Sequence, residues 1–154
     1  MGVTEEVPSR LSPFDQYHRS RGAKMADFGG WAMPIEYPGP GGGVLAEHRA
    51  VREHVGIFDV SHLGKASISG EGALDFLNSQ LSNDLSLISD GQAQYNLLLD
   101  ENGGVVDDLI VYRKSGNELF IIPNAANTSE VVRRLGSRLP DGVSVTNQHI
   151  DFAV

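Results

Sequence analysis

The chain has 154 residues, 40% of them apolar, with 12 Lys+Arg against 20 Asp+Glu and no cysteine. That length suits one ordinary domain, or a small domain with part of a second. A net charge of −8 argues against nucleic acid or an acidic membrane as partner, the missing cysteines remove disulfides and thiolate chemistry and suit a reducing, cytoplasmic setting, and no uncharged apolar run approaches the ~20 residues that span a bilayer.

Residues 1–11, with the Ser12 that follows, mix acids, Pro and Ser without the apolar centre of a signal peptide, and read as a flexible leader. Ser12-Pro13, then Phe14, Tyr17 and Gly22, read as a short N-capped helix with Gly as its stop. From Met25 to Gly43 the aromatic residues Phe28, Trp31 and Tyr37 alternate with Gly and Pro, which predicts a loop with anchoring aromatics rather than regular structure. Packing is the favoured role for those aromatics over a ligand pocket. The run Gly39–Gly43 lacks a following Lys-Ser/Thr and a preceding strand, so it reads as a linker and not as a phosphate loop. A second helix is expected from Leu45 to about Val55, with Leu45, His48, Val51 and Val55 on one stripe and His48 partly buried.

Beyond this point the hydrophobic period changes. Ala66 and Ile68 alternate, as do Tyr95, Leu97 and Leu99, and Val105–Tyr112 is a third strand-like run. Asp100-Glu101-Asn102-Gly103-Gly104 joins two of these runs as a hairpin. Lys114–Asn117 turns into a strand at 119–122, and helices are expected at Glu71–Leu81 and Thr128–Leu139, the latter opened by a capping-box-like Asn127 and Glu130. The order from Lys65 to about Asn147 is strand, helix, three strands, helix, strand. It predicts an α+β fold of ferredoxin-like type, a mixed sheet with helices on one side. Ile150, Phe152 and Val154 alternate with His149, Asp151 and Ala153, so a strand is expected to be under way at the end of the chain, before the fold is complete.

Among candidate chemical groups, Asp107 and Asp108 stand out, because strand alternation places one carboxylate on each face of an otherwise apolar run. Either one of them meets a polar partner or ligand, or both lie in water at the mouth of the hairpin. Spacing alone does not choose. The five histidines show no metal-ligand spacing, Ser61-His62 reads as a turn, and Arg133, Arg134 and Arg138 read as a solvated helix face.

The segments Gly22-Ala23-Lys24-Met25, Asp27–Trp31 with Met33-Pro34, Glu47–Arg52, Gly56–His62, Asn83-Asp84, Tyr95, Gly103–Tyr112 and Asn124–Asn127 together resemble the glycine cleavage T-protein family, in collinear order from Leu11 to Val154. The Pro/Gly insertion after Tyr37, and Leu63 where many relatives carry Met, are departures. The resemblance implies that residues 12–60 are part of a first lobe, 61–148 a second lobe, and 149–154 the start of a strand belonging to the remainder. It implies an aminomethyltransferase that takes the aminomethyl group from the lipoyl arm of H-protein and passes it to tetrahydrofolate, releasing ammonia, with no metal. Asp108 matches the family's functional aspartate. Leu63, Tyr95, Tyr112 and Asn124 become folate-contact candidates, Asp107 stays structural, and Asp108 is expected in a concavity lined by Tyr95 and Tyr112. By the same resemblance this chain carries half a clamp and is inactive alone. The folate-binding domain of a dimethylglycine or sarcosine dehydrogenase or a demethylase, and a non-enzymatic iron–sulfur-assembly relative, remain open as alternatives.

Overall fold

A computed structural model describes residues 10–154, which divide into two compact units. One comprises residues 10–62 with Phe152–Val154, the other Leu63–Asp151. The expected leader lies outside the described residues except at Arg10–Leu11, which form a two-residue strand β1.

In the first unit α1 spans Asp15–Ser20, β2 Lys24–Phe28, β3 Trp31–Glu36 and α2 Val44–Glu53. The stretch read as a loop is therefore a hairpin. Gly29 and Gly30 have φ of 61° and 85°, the left-handed pair that a two-residue turn between twisted strands requires. Strand β3 is central, parallel to β1 and antiparallel to β2. Pro34 fits there because β1 pairs only with Trp31 and Ala32, and β2 shifts register between Lys24 and Met25 beside it. Ser12 does not cap α1: its hydroxyl donates to Asp59 and accepts from Phe14 N (3.1 Å).

Helix α2 forms close to the expected place, yet buries no residue. His48, expected to be partly buried, is exposed.

The second unit contains β4 (Ala66–Ser69), α3 (Ala73–Gln80), a 3₁₀ turn (Leu85–Leu87), β5 (Ala93–Leu99), β6 (Val105–Ser115), β7 (Glu118–Ile122), α4 (Thr128–Gly136) and β8 (Ser144–Asn147). Its sheet runs β5-β6-β7-β4-β8, the split βαβ plan with β5 added at one edge. Each ladder in it is antiparallel, so the mixture of strand directions in the expectation is confined to the parallel β1–β3 pair. One face packs on α3 and α4: Ile68, Leu98, Leu109, Val111, Leu119 and Ile121 share a buried cluster with Phe76, Leu77, Val131 and Leu135. The expected capping box at α4 is not formed. Asn127 occupies the N-cap position but makes no side-chain cap bond, and Glu130 binds Arg133 and Arg134 instead.

Residues 149–154 are not a strand. Asn147 Oδ1 accepts from His149 N (3.0 Å) and Gln148 O from Asp151 N (3.1 Å), a turn that diverts the chain before the alternation can pair. Val154 instead bonds within the first unit, its carbonyl accepting from Val60 N at 2.9 Å. No helix among the described residues is long and apolar enough to cross a membrane.

Candidate functional site

The candidate site lies on the sheet face of the second unit that is not packed on α3 and α4, and its geometry begins with a turn. Asp100 Oδ1 accepts from Asn102 N and Gly104 N, both at 2.8 Å, and these amides hold its carboxyl below the ordinary value. The turn thereby sets the register of β6 against β5, with Leu98 opposite Asp107, Leu97 opposite Asp108 and Tyr95 opposite Ile110. From there the pleat decides. Asp107 (2% exposed), Leu109 and Val111 point inward, while Asp108, Ile110 and Tyr112 point outward.

Among the described residues, outward-pointing Asp108 has two side-chain partners. Tyr95, diagonally across the ladder, donates its hydroxyl to Oδ2 at 3.0 Å, and the phenol's pKa is raised by that bond first and then by burial and the two nearby carboxylates. Asn124, just past β7, donates Nδ2–H to Oδ1 at 2.9 Å and to the Asp108 carbonyl at 3.0 Å. Three of the sequence-derived residues, Tyr95, Asp108 and Asn124, thus form one hydrogen-bonded group.

The other two do not join it. Tyr112 shares the outward face, but four residues of strand separate it from Asp108 by roughly 13 Å, and its ring packs on Phe120 with centroids 6.4 Å apart. Leu63 is half-buried beside Gly64, whose N–H donates to Pro123 O (2.7 Å) at the end of the sheet where Asn124 emerges. The expected concavity has Tyr95 and Tyr112 flanking Asp108 together, whereas among the described residues only Tyr95 reaches Asp108. Tyr95 and Tyr112 are 56% and 40% exposed, because this unit packs its helices on the opposite face.

Asp107, read as structural, sits inside with its carboxylate well supplied. It accepts from Asn124 N (3.0 Å), Asn124 Nδ2 (3.0 Å) and Asn127 Nδ2 (2.8 Å). Asn127, a capping candidate by its spacing and part of the segment that carries the resemblance, reaches this carboxylate from 20 positions on, which sequence spacing does not show.

A second polar group, in the first unit, escaped the sequence reading altogether. Buried Asp59 accepts from Ser12, from His18 Nε2 (2.8 Å) and from Ser61 N (2.9 Å), and His18 Nδ1 lies 2.7 Å from the Tyr37 hydroxyl. Burial pushes the Asp59 carboxyl upward, but the bonds from Ser12, Ser61 and His18 outweigh it and hold the group at about 2. No residue spacing announces this cluster, whose members come from four separate segments. The same unit carries a groove of ≈ 660 Å³ walled by side chains such as Pro34, Ile35, Val51 and Phe58.

In chemical terms, the outward sheet face offers a carboxylate, a phenol and a carboxamide beside apolar Ile110, Ile122 and Phe120. That combination suits a flat, nitrogen-rich heteroaromatic ligand, which stacks on apolar surface and presents N–H groups to a carboxylate.

Comparison with known proteins agrees with the resemblance. A model of the GCVT N-terminal domain matches residues 14–154. Aminomethyltransferases of Parafrankia sp. (strain EAN1pec) and Frankia alni are each 60% identical over 145 residues, 94% of this chain and 39% of theirs. That of Mycobacterium tuberculosis is 51% identical over 150 residues, 97% of this chain and 40% of its own length. Among solved structures, the glycine cleavage system aminomethyltransferase T from Bartonella henselae superposes with a TM-score of 0.82 at 36% identity, covering 89% of this chain and 37% of that one. The chain thus spans about two-fifths of the length of these relatives, and it belongs to the glycine cleavage T-protein family, matching its N-terminal domain.

Proposed function

We propose that this chain contributes the carboxylate-bearing part of the site of a tetrahydrofolate-dependent aminomethyltransferase, in which an aminomethyl group carried on the lipoyl arm of an H-protein passes to tetrahydrofolate and ammonia is released. The observation that carries the proposal is the Tyr95–Asp108–Asn124 group on an apolar sheet face. Each relative compared above bears an aminomethyltransferase description, which favours this reading over a dehydrogenase-linked folate domain. An acidic, cysteine-free chain suits the cytoplasm as its compartment.

Tetrahydrofolate supplies the acceptor nitrogens, between two of which the transferred carbon ends. The residues of this chain do the remaining work at the sheet. Asp108 accepts from a pterin N–H and so orients the ring, and its negative charge stabilises the positive charge that develops on the carbon as ammonia departs. Tyr95 and Asn124 hold the carboxylate in one orientation, so little reorganisation is needed at the moment of reaction. Leu63 and Tyr112 supply apolar wall further along the ligand.

The test is a chimera joining this chain to the part that follows it in the Parafrankia aminomethyltransferase, assayed for ammonia release from aminomethylated H-protein with tetrahydrofolate. The chimera should be active and the 154-residue chain inactive, since a ligand held on one open face gains only part of the burial of a pocket. Asp108→Asn, which keeps shape and removes charge, should lower kcat by about 10²–10³ while leaving unfolding midpoints nearly unchanged. Full activity in that variant would sink the proposal.

A further inference from the structure

Asp107 differs from its neighbour in having no route to a ligand: it is 2% exposed and points away from the face that carries Asp108. A buried carboxylate is costly to desolvate, and an apolar residue would satisfy the core at this position. What the carboxylate does for its surroundings is visible in its bonds. Of its three donors among the described residues, two are the backbone N–H and the side-chain amide of Asn124. That same amide nitrogen also reaches Asp108 Oδ1 and the Asp108 carbonyl.

A carboxamide has one end that donates and one that accepts, and the two are nearly the same shape. Beside Asp107, which as a carboxylate accepts only, the nitrogen end of Asn124 must face the strand. Asp107 Oδ2 accepts from the Asn124 backbone N–H and Oδ1 from its side-chain amide, so the inward carboxylate holds Asn124 at two points, and from that anchored position the amide hydrogens also reach Asp108 Oδ1 and the Asp108 carbonyl. With an amide at 107 one of the two oxygens becomes a donor that faces another donor, either the Asn124 backbone N–H or the side-chain amides of Asn124 and Asn127, and Asn124 is no longer anchored at two points within reach of Asp108.

We infer that Asp107 is a positioning residue that fixes the orientation of Asp108 across the strand, acting through the carboxamide of Asn124. For its catalytic meaning this rests on the reading of Asp108 given above. The positioning itself is independent of it. Asn127, which among the described residues donates its side-chain amide to Asp107 alone, at 2.8 Å, belongs to the turn before α4 and not to the relay.

The test is the χ1 rotamer distribution of Asp108, read from three-bond couplings to its carboxyl carbon in the isotope-labelled chain, with the amide spectrum of α4 and β7 as the control for folding. The unaltered chain should show one rotamer. Isosteric Asp107→Asn and the half-buried Asn124→Ala should each give rotamer averaging, the double variant should be no worse than Asn124→Ala alone, and Asn127→Ala should leave the single rotamer in place. A single rotamer in both Asp107→Asn and Asn124→Ala would overturn the inference. So would averaging in Asn127→Ala equal to that in Asp107→Asn, because it would mean that Asp107 only supports the turn. In the chimera Asp107→Asn should lower kcat by about 10²-fold, the scale set by small misplacements of a reacting group, with a smaller change in KM. If Asp108→Asn is fully active there, the functional reading has failed, and the couplings still decide the positioning.

Discussion

Helices α2 and α4 are similar in sequence character and opposite in fate. Both alternate apolar and charged residues at helical spacing and both run nine or ten residues. Helix α4 lays Thr128, Val131 and Leu135 into the core beneath β8, whereas α2 buries nothing and leaves Leu45 83% and nearby Val55 82% exposed. An apolar stripe records that a helix face is to be covered. It does not record by what, and only where the same unit also supplies the covering sheet does the stripe become stability. The buried carboxylates differ in a parallel way: Asp59 gathers donors from segments far apart in the chain, while Asp107 takes all of its described ones from the turn at 124–127.

The sharpest test of this contrast is a pair of truncations measured by denaturant unfolding. Leu135→Ala, at 1% exposure, should cost about 2–5 kcal/mol through lost burial and a residual cavity. Leu45→Ala should fall within about 0.5 kcal/mol of the parent. Equal costs would mean that α2 is covered in solution and that the contrast is false.

Next in size is Gly64→Ala. A Cβ there would stand 2.2 Å from Thr128 Oγ1, and Thr128 is held by its bond to Asn124 O (2.9 Å), so the clash cannot be relieved by a swing of the side chain. A loss of about 1–3 kcal/mol is expected from such overpacking, with the couplings of Asp108 disturbed as well. Unchanged thermal unfolding would show that this end of the sheet yields more readily than the packing implies.

A pH titration separates the two units. The Asp59 carboxyl is held at about 2 against an ordinary 3.8, so between those values the unfolded chain binds the proton that the folded chain refuses. The stability this contributes is complete above the ordinary value and is lost as pH falls toward 2. The ring signals of His18 and Tyr37 should report loosening of the first unit in that window, and Asp59→Asn should remove the dependence. No change in those signals down to pH 2 would show that the cluster is not held by the charge.

The smallest effect is expected on the outer face of α4. Glu130 is also held at about 2, by bonds from Arg133 and Arg134, but the group is open to water and salt. Glu130→Gln should be indistinguishable from the parent in thermal unfolding at 1 M salt. A clear loss would give this surface triad a weight that exposed ion pairs rarely have.

Much of the second unit was legible in the residues, because its strands alternate cleanly, its helices carry stripes and Asp100–Gly104 spells a turn. The inward and outward assignment of Asp107 and Asp108 follows from the pleat once the core-facing neighbours Leu109 and Val111 are recognised. Less of the first unit was legible. Gly29-Gly30 demands two left-handed residues and could have announced the β2–β3 hairpin, but Pro34 in β3 argued for a loop, and the short β1 together with the register shift of β2 makes Pro34 tolerable. Local residue types therefore determined where the elements of the second unit start, which way its strands point and which family the chain resembles, since each depends on near neighbours. Tertiary structure alone decided that Ser12, His18, Tyr37 and Asp59 meet and that Asn124 joins two carboxylates on opposite faces of one strand. Hydrogen bonds between residues tens of positions apart leave no period in the sequence.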